Sequence, residues 1–180
     1  MNKLIKKIIL SDSKVFLKTF ELNNISKKYI DRLNDKKINK FLEVRKVRQN
    51  KKTVTKYILD KINDPNKHMF QIKKKNKFIG TATLNIRKRS YCYLGYMISD
   101  SRSWGTEYSV RPFKLIVKYI FKNLKVKKIV CTTLVQNIGI AIFLKKIGFQ
   151  KLRNISAKNL YNKLFNKTLK NNTDVYILKK

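Results

Sequence analysis

The chain has 180 residues, with 44 Lys and Arg against 10 Asp and Glu, a formal charge of +34 and 43% hydrophobic residues. Phe, Tyr, Ile and Leu run through its whole length, enough for one buried core over 1–180, which excludes a disordered basic tail. Five Gly and two Pro exclude collagen-like and Pro/Gly-rich classes, and no apolar run approaches the ~20 residues of a membrane span.

Met1 to Leu10 sets lysines around a very short apolar stretch, without the long apolar region or small-residue cleavage site of an export signal. Cys92 and Cys131 sit far apart in apolar runs, poor spacing for a disulfide framework or a metal knot. A cytoplasmic protein is expected. Clustered Lys and Arg bind phosphate by releasing counterions, so a charge of +34 invites a nucleic-acid reading. Here the cations are nearly all Lys, accompany heavy Asn and Ile use and are spread along the chain. The compositional bias of an AT-rich genome explains such a spread better, and charge alone assigns no function.

In chain order, Val15 to Phe20 reads as a first strand, and Asn23 or Asn24 as the cap of a helix with Ile25, Tyr29, Ile30 and Leu33 on its apolar face. A short helical piece over Ile38 to Leu42 follows, then a helix from near Thr53 that presents Val54, Tyr57, Ile58 and Ile62, closed by the turn Asp64-Pro65-Asn66. The period then switches to two. His68 to Ile72, Lys77 to Ile86 and Tyr91 to Ile98 predict an antiparallel meander. Ser109 to Leu124 is helical in its apolar spacing, Lys128 to Leu134 is strand-like, and Ile138 to Ile147 is a helix stopped by Gly148. A strand from Phe149 and a last one at Asp174 to Leu178 complete the order. The fold class is therefore α+β, a mixed and mostly antiparallel twisted sheet with helices on both faces, without repeats or linkers. The loop between the Tyr91–Ile98 strand and the helix after it is the natural anion site, because helix N-terminal amides point out of it.

That loop reads Ser99-Asp-Ser-Arg102-Ser-Trp104-Gly105-Thr106-Glu107-Tyr108. It resembles the acetyl-CoA loop of the GNAT superfamily of N-acetyltransferases, Q/R-x-x-G-x-G/A, with Arg102 and Gly105 matching and Glu107 standing where Gly or Ala is expected. The resemblance runs from Val15 to Leu178 and is closest to the branch of ribosomal-protein N-terminal and amino-sugar acetyltransferases. Leu33 to Arg45 is similar to that branch's LNDxxVNxYLExR, Phe78-Ile-Gly80-Thr to its xIGxxxL strand, Gly95 to Gly105 to GxxIxxxxxWGxG, and Asn137 with Lys146-Ile-Gly148-Phe149 to NxxSxxxxxKxGF.

The resemblance implies acetyl-CoA as co-substrate, with no metal. Its pyrophosphate lies over Arg102, Trp104, Gly105, Thr106, Glu107, Tyr108 and Ser109, and its pantetheine arm along Met97, Ile98 and Asn137. Gly105 equally suits a tight turn, Asn137 a helix cap, Met97 and Ile98 a core, and Trp104 packing beneath the loop. The carboxylate of Glu107 beside phosphate calls for relief by solvent or by Arg111, and Pro112 predicts a helix that starts late, near Ser109.

Amine attack on a thioester needs an acceptor for the ammonium proton and a donor for the leaving thiolate. The family's strand carboxylate position is Tyr93 here, the tentative catalytic residue, and its hydroxyl acid positions are Ile140 and Leu144. Glu43 and Arg45 match the acceptor side, where a carboxylate holds the amine and a guanidinium holds a phosphate or carboxylate; surface ion pairing is the plain alternative. His68 reads as structural. The implied activity is direct acetyl transfer to a primary amine of an amino-sugar nucleotide, a protein N-terminus or a small molecule, by a monomer or homodimer. The competing reading is a GNAT-fold binding module without catalysis, or a basic protein associated with nucleic acid or the ribosome.

Overall fold

The computed structural model describes residues 7–87 and 90–180. Most of the Met1 to Leu10 stretch, residues 1–6, lies outside the described residues. The strands are β1 Ile9–Ser11, β2 Val15–Thr19, β3 Lys67–Lys74, β4 Lys77–Arg87, β5 Tyr91–Ile98, β6 Lys128–Leu134, β7 Gln150–Lys151 and β8 Thr173–Lys179. The helices are α1 Lys27–Asn34, α2 Lys36–Asn39, α3 Lys51–Asn63, α4 Glu107–Asn123, α5 Ile138–Lys146 and α6 Asn154–Phe165. All eight strands join one sheet, in the order β1-β2-β3-β4-β5-β6-β8-β7. Every neighbouring pair is antiparallel except β5 and β6.

Local chemistry sets the element ends. Asp12 Oδ1 accepts the Lys14 and Val15 amides at 2.8 and 2.9 Å, an Asx turn that joins β1 to β2. Asn50 and Thr53 form a reciprocal capping box at the start of α3. Gly148, at φ +98, ends α5: its amide donates to the Lys145 carbonyl at 2.9 Å and the Phe149 amide to the Leu144 carbonyl at 3.0 Å, a Schellman motif.

Period-two alternation sends neighbouring side chains to opposite faces of the sheet. On β3, Phe70 enters the large core of Leu17, Ile72, Leu84, Leu94, Phe113, Ile116 and Ile120 under α4 and α5. Met69 enters the cluster of Phe20, Tyr29, Leu33, Val54 and Ile58 under α1 and α3. α6 covers Val130, Val175 and Ile177 beside Tyr91 and Tyr93. Helices thus flank both faces, as expected.

Several details differ from the sequence reading. α1 is capped by Ser26, whose hydroxyl accepts the Tyr29 amide at 3.1 Å, while Asn24 instead accepts from Gln71 at 2.6 Å. α2 lies over Lys36–Asn39 because Asp35 caps it, and α3 starts at Lys51. α4 starts at Glu107, not near Ser109, because Thr106 caps it and Pro112 is accommodated inside the helix. Two elements were not foreseen, the edge strand β1 and the Asn-rich α6, and the strand after Phe149 shrinks to Gln150–Lys151.

Phe113 is 1% exposed and makes edge contacts with Tyr96, Phe143 and Phe149 at centroid distances of 5.0, 5.0 and 5.9 Å. Phe113→Ala removes the ring that joins α4, α5 and β5, and urea denaturation should show a loss of about 3–5 kcal/mol.

Candidate active site

β5 and β6 pair at only three positions, Tyr91 with Lys128, Cys92 with Ile129 and Tyr93 with Val130. Beyond Tyr93 the strands part, so Leu94–Ile98 and Cys131–Leu134 border a wedge in the middle of the sheet. β5 stays paired to β4 through Ile98, and β6 to β8 through Leu134, so the wedge is built into the sheet and is not a frayed end. Gly80 permits the tight β4 to β5 contact at this end, since a Cβ there would stand 2.2 Å from the Met97 carbonyl oxygen.

Tyr93 and Thr132 close the crotch of the wedge with a hydroxyl–hydroxyl hydrogen bond of 2.7 Å. The Tyr93 ring also meets Phe165 of α6 edge-on at 5.0 Å. Burial pushes the Tyr93 phenol up to about 12, against the lowering effect of Thr132. Raised in this way the phenol is held in its protonated form, which suits a hydrogen-bonding group at the crotch.

The open end of the wedge meets the loop before α4. Gly105 adopts φ +70, and a Cβ there would meet nothing within 4 Å, so its backbone borders open space. The amides of Gly105 and of Glu107, the first residue of α4, have no hydrogen-bond partner among the described residues. Together they form the positive end of a 17-residue helix dipole, ready for an anion. Thr106 Oγ1 caps the helix by accepting the Tyr108 amide at 3.2 Å and donates to the Ser103 carbonyl at 2.9 Å. Ser109 is buried and donates to the Thr106 carbonyl at 2.8 Å, which engages its hydroxyl inside the turn.

Trp104 does not pack beneath the loop. It remains 42% exposed, and its indole N–H donates to the Ile98 carbonyl at 2.7 Å, which ties the loop to the end of β5. Arg102 is exposed and pairs with Asp100 through Nε at 3.2 Å. Tyr108 lies under the Lys74 ammonium, 3.5 Å from its ring centre.

Glu107 points away from the open side of the loop. It accepts from Lys14 at 2.7 Å and from Arg111 at 2.8 Å, and Arg111 also reaches Asp12 at 3.1 Å. Two cations therefore neutralise the carboxylate that departs from the family pattern, and hydrogen bonding to Lys14 and Arg111 holds it below its usual range. The sequence offered Arg111 as a partner; Lys14 and Asp12 come from the β1–β2 turn, and only their place beside α4 in the fold reveals them.

Asn137 occupies the cap position of α5, yet its side chain makes no capping bond and has no partner among the described residues. Ile140 and Leu144, at the family's hydroxyl positions, are apolar packing groups of the α4 and α5 core. Met97 packs with the α1 and α3 cluster and Ile98 with the α4 core, so both side chains are structural; the Met97 carbonyl faces Gly80 of β4, and it is the backbone of Ile98 that borders the wedge.

Glu43 and Arg45 lie on a short 3-10 turn, Glu43–Lys46, between α2 and α3. Glu43 pairs with Lys46 and, at 3.7 Å, with Lys170, while Arg45 donates to the Lys40 carbonyl at 2.7 Å. Lys170, just before β8, was not foreseen. Cys92 and Cys131 are buried free thiols, both pushed up by burial, Cys92 to about 12, so neither has the character of an acyl-carrying nucleophile. Among the described residues no group of three or more His, Cys, Asp and Glu could hold a metal ion, and no helix is long and apolar enough to cross a membrane.

Residues 15–150 match the sequence profile of the acetyltransferase (GNAT) domain, about three quarters of the chain. The chain belongs to the GNAT acetyltransferase family. Members of this family are acetyl-CoA-dependent N-acetyltransferases. No curated protein matches the chain by sequence. Solved GNAT-fold structures that superpose on it include the ribosomal-protein alpha-N-acetyltransferase RimL in complex with coenzyme A, at TM-score 0.77 and 12% identity over 96% of this chain and 98% of that one. Spermidine N-acetyltransferase from Vibrio cholerae, with CoA and spermine, gives 0.71 and 16% over 93% and 96%. A domain from Methanocaldococcus jannaschii gives 0.73 and 18% over 94% and 100%. At these identities the superpositions establish the fold.

Because the pKa of Glu107 is lowered on folding, its ion pairs add stability above the ordinary value of 4.5 that is lost as pH falls through the depressed value. The melting-temperature difference between wild type and Glu107→Gln should be greatest above pH 4.5, disappear in stronger acid and shrink in high salt.

Proposed function

We propose that this GNAT protein, acting as one unit over 1–180, transfers acetyl from acetyl-CoA directly to a primary amine. The observation that carries the reading is the wedge between β5 and β6, which opens onto a helix N-terminus with two unpartnered amides. Backbone groups left unpaired inside a sheet favour a ligand that restores their hydrogen bonds. The residues suit acetyl-CoA. Gly105, Glu107 and Arg102 would hold its pyrophosphate through two amides and a guanidinium, and the wedge-facing backbone of Ile98, next to Met97, with the unpartnered side-chain amide of Asn137, would hold its pantetheine arm.

Acetyl-CoA would supply the thioester: the ammonium first gives a proton to solvent, the amine nitrogen bonds to the carbonyl carbon, the carbon–sulfur bond breaks, and the second proton lost by the nitrogen goes to the departing thiolate. What the chain contributes is placement and polarity. Tyr93 and Thr132 present a hydroxyl pair at the crotch, where negative charge on the departing sulfur is stabilised by a hydrogen bond. With both cysteines buried and protonated, direct transfer is the route these residues support.

The acceptor side is cationic. Arg45, Lys46 and Lys170 surround the single carboxylate of Glu43. This surface repels a polyamine and attracts an amine that also carries phosphate or carboxylate, which favours an amino-sugar nucleotide over a small polycation. A protein N-terminus beside acidic residues fits the same rule. Two reduced, buried cysteines agree with a cytoplasmic setting.

Acetyl-CoA should raise the melting temperature saturably, whereas heparin at the same salt should not reproduce the rise. Gly105→Glu places a carboxylate at the open amides and should abolish the acetyl-CoA shift; an unchanged shift would move the cofactor elsewhere. Tyr93→Phe should lower kcat by about tenfold or more while leaving acetyl-CoA affinity within twofold, measured by steady-state kinetics and calorimetry on the best acceptor of an amine panel.

A further inference from the structure

We propose that the outer face of α4 is a docking ridge for the phosphodiester backbone of nucleic acid. At 100° per residue, Arg111, Lys114, Lys118 and Lys122 fall on one stripe, opposite the buried residues Phe113, Ile116 and Ile120. From Arg111 to Lys122 the stripe is about 17 Å long, at 1.5 Å per residue. Lys125 and Lys127 extend it past the helix end, where the Lys127 carbonyl accepts the amide of Lys180 at 3.0 Å. Lys114, Lys118, Lys122, Lys125, Lys127 and Lys180 are all exposed.

What marks this ridge is four cations in line on one helix face, in a stretch of chain without acids. Between Tyr108 and Thr173 the chain has fifteen Lys and Arg and no Asp or Glu. Arg111 is committed to Glu107 and Asp12, but no ion pair reaches Lys114, Lys118, Lys122, Lys125 or Lys127 among the described residues. On α1 and α3, Asp31 and Asp60 answer Lys27, Lys61 and Lys67, while Lys28 and Lys52 there have no ion pair among the described residues and stand off any such line. Compositional bias toward Lys explains the number of cations; it does not set four of them in line on one helix face.

The chemistry of the ridge selects the partner. Each helical turn offers a cation, and a nucleic-acid strand carries a phosphate about every 3.4 Å of its axis, so every ridge lysine finds one. Protein interfaces deplete Lys at their centres in favour of aromatic anchors, and α4 exposes no large hydrophobic side chain. The same absence disfavours a membrane surface, where an amphipathic helix inserts an apolar face. The ridge lies on the helix whose N-terminus forms the cofactor loop, and it uses none of the residues assigned there.

The test measures fluorescence anisotropy of labelled oligouridylate and duplex DNA against salt for three proteins: wild type, a variant with Lys114, Lys118, Lys122 and Lys125 changed to Gln, and a control with Lys28, Lys36, Lys37 and Lys52 changed to Gln. Both variants lose the same charge, and matched melting temperatures establish folding. For single strands each phosphate contact contributes about 0.7 to the slope of log K against log salt, so the ridge variant should lose about 3 from the slope and at least tenfold in affinity. The control should stay within about twofold. No binding by wild type, or equal loss in both variants, overturns the proposal. So does binding of phosphatidylserine vesicles without binding of either nucleic acid, which would assign the ridge to a membrane.

Discussion

The constraint on which the rest of the molecule depends is a sheet that must stay whole while two of its central strands separate. Peptide groups inside a sheet demand partners, and β5 and β6 forgo theirs after Tyr93 and Val130. The cost is tolerable because each strand keeps its other neighbour, β4 or β8, and because both ends of the wedge are pinned. The Tyr93–Thr132 hydroxyl pair holds the crotch, and Trp104 holds the end of β5 through the Ile98 carbonyl. Tyr96, on the face toward α4, donates to the Ser109 carbonyl at 2.7 Å and so fixes the helix against the opened strand. The loop before α4 inherits its position from these three bonds.

Electrostatics decides how the loop tolerates its unusual carboxylate. A Glu at the first position of a helix is favoured by the dipole, yet a free carboxylate would repel pyrophosphate at the same amides. Lys14 and Arg111 draw Glu107 toward the β1–β2 turn, so the sequence change is answered across the fold. These pairs are exposed and individually weak; what they settle is direction, away from the loop's open side.

Much of this was legible in the sequence because the signals were local. The meander, α4, β6 and α5 follow from apolar period and from Gly148, and the loop from Arg102 and Gly105. What was missed was either composition-masked or non-local. In α6, Ala157, Leu160, Tyr161 and Leu164 have helical spacing, but Asn154 before them and Asn159 and Asn162 among them read as loop. Pro112 does not delay α4, since capping by Thr106 and packing of Phe113 and Ile116 outweigh one missing amide. The partners Lys14 for Glu107, Thr132 for Tyr93 and Lys170 for Glu43 are separated from them by long stretches of chain and leave no sequence signal.

The order of the strands also bears on how the protein is made. β8 lies between β6 and β7, although both are synthesised before it. Until residues 173–179 emerge, β6 has one free edge and β7 has no neighbour at all. The Cys131 to Leu134 side of the wedge, and the covering of Val130 by α6, therefore assemble last, after the β1 to β5 half has had time to fold. An exposed β6 edge during that interval is a template for pairing with another chain, so ribosome-bound intermediates that carry α5 but not β8 are the stage at which this protein is most open to aggregation.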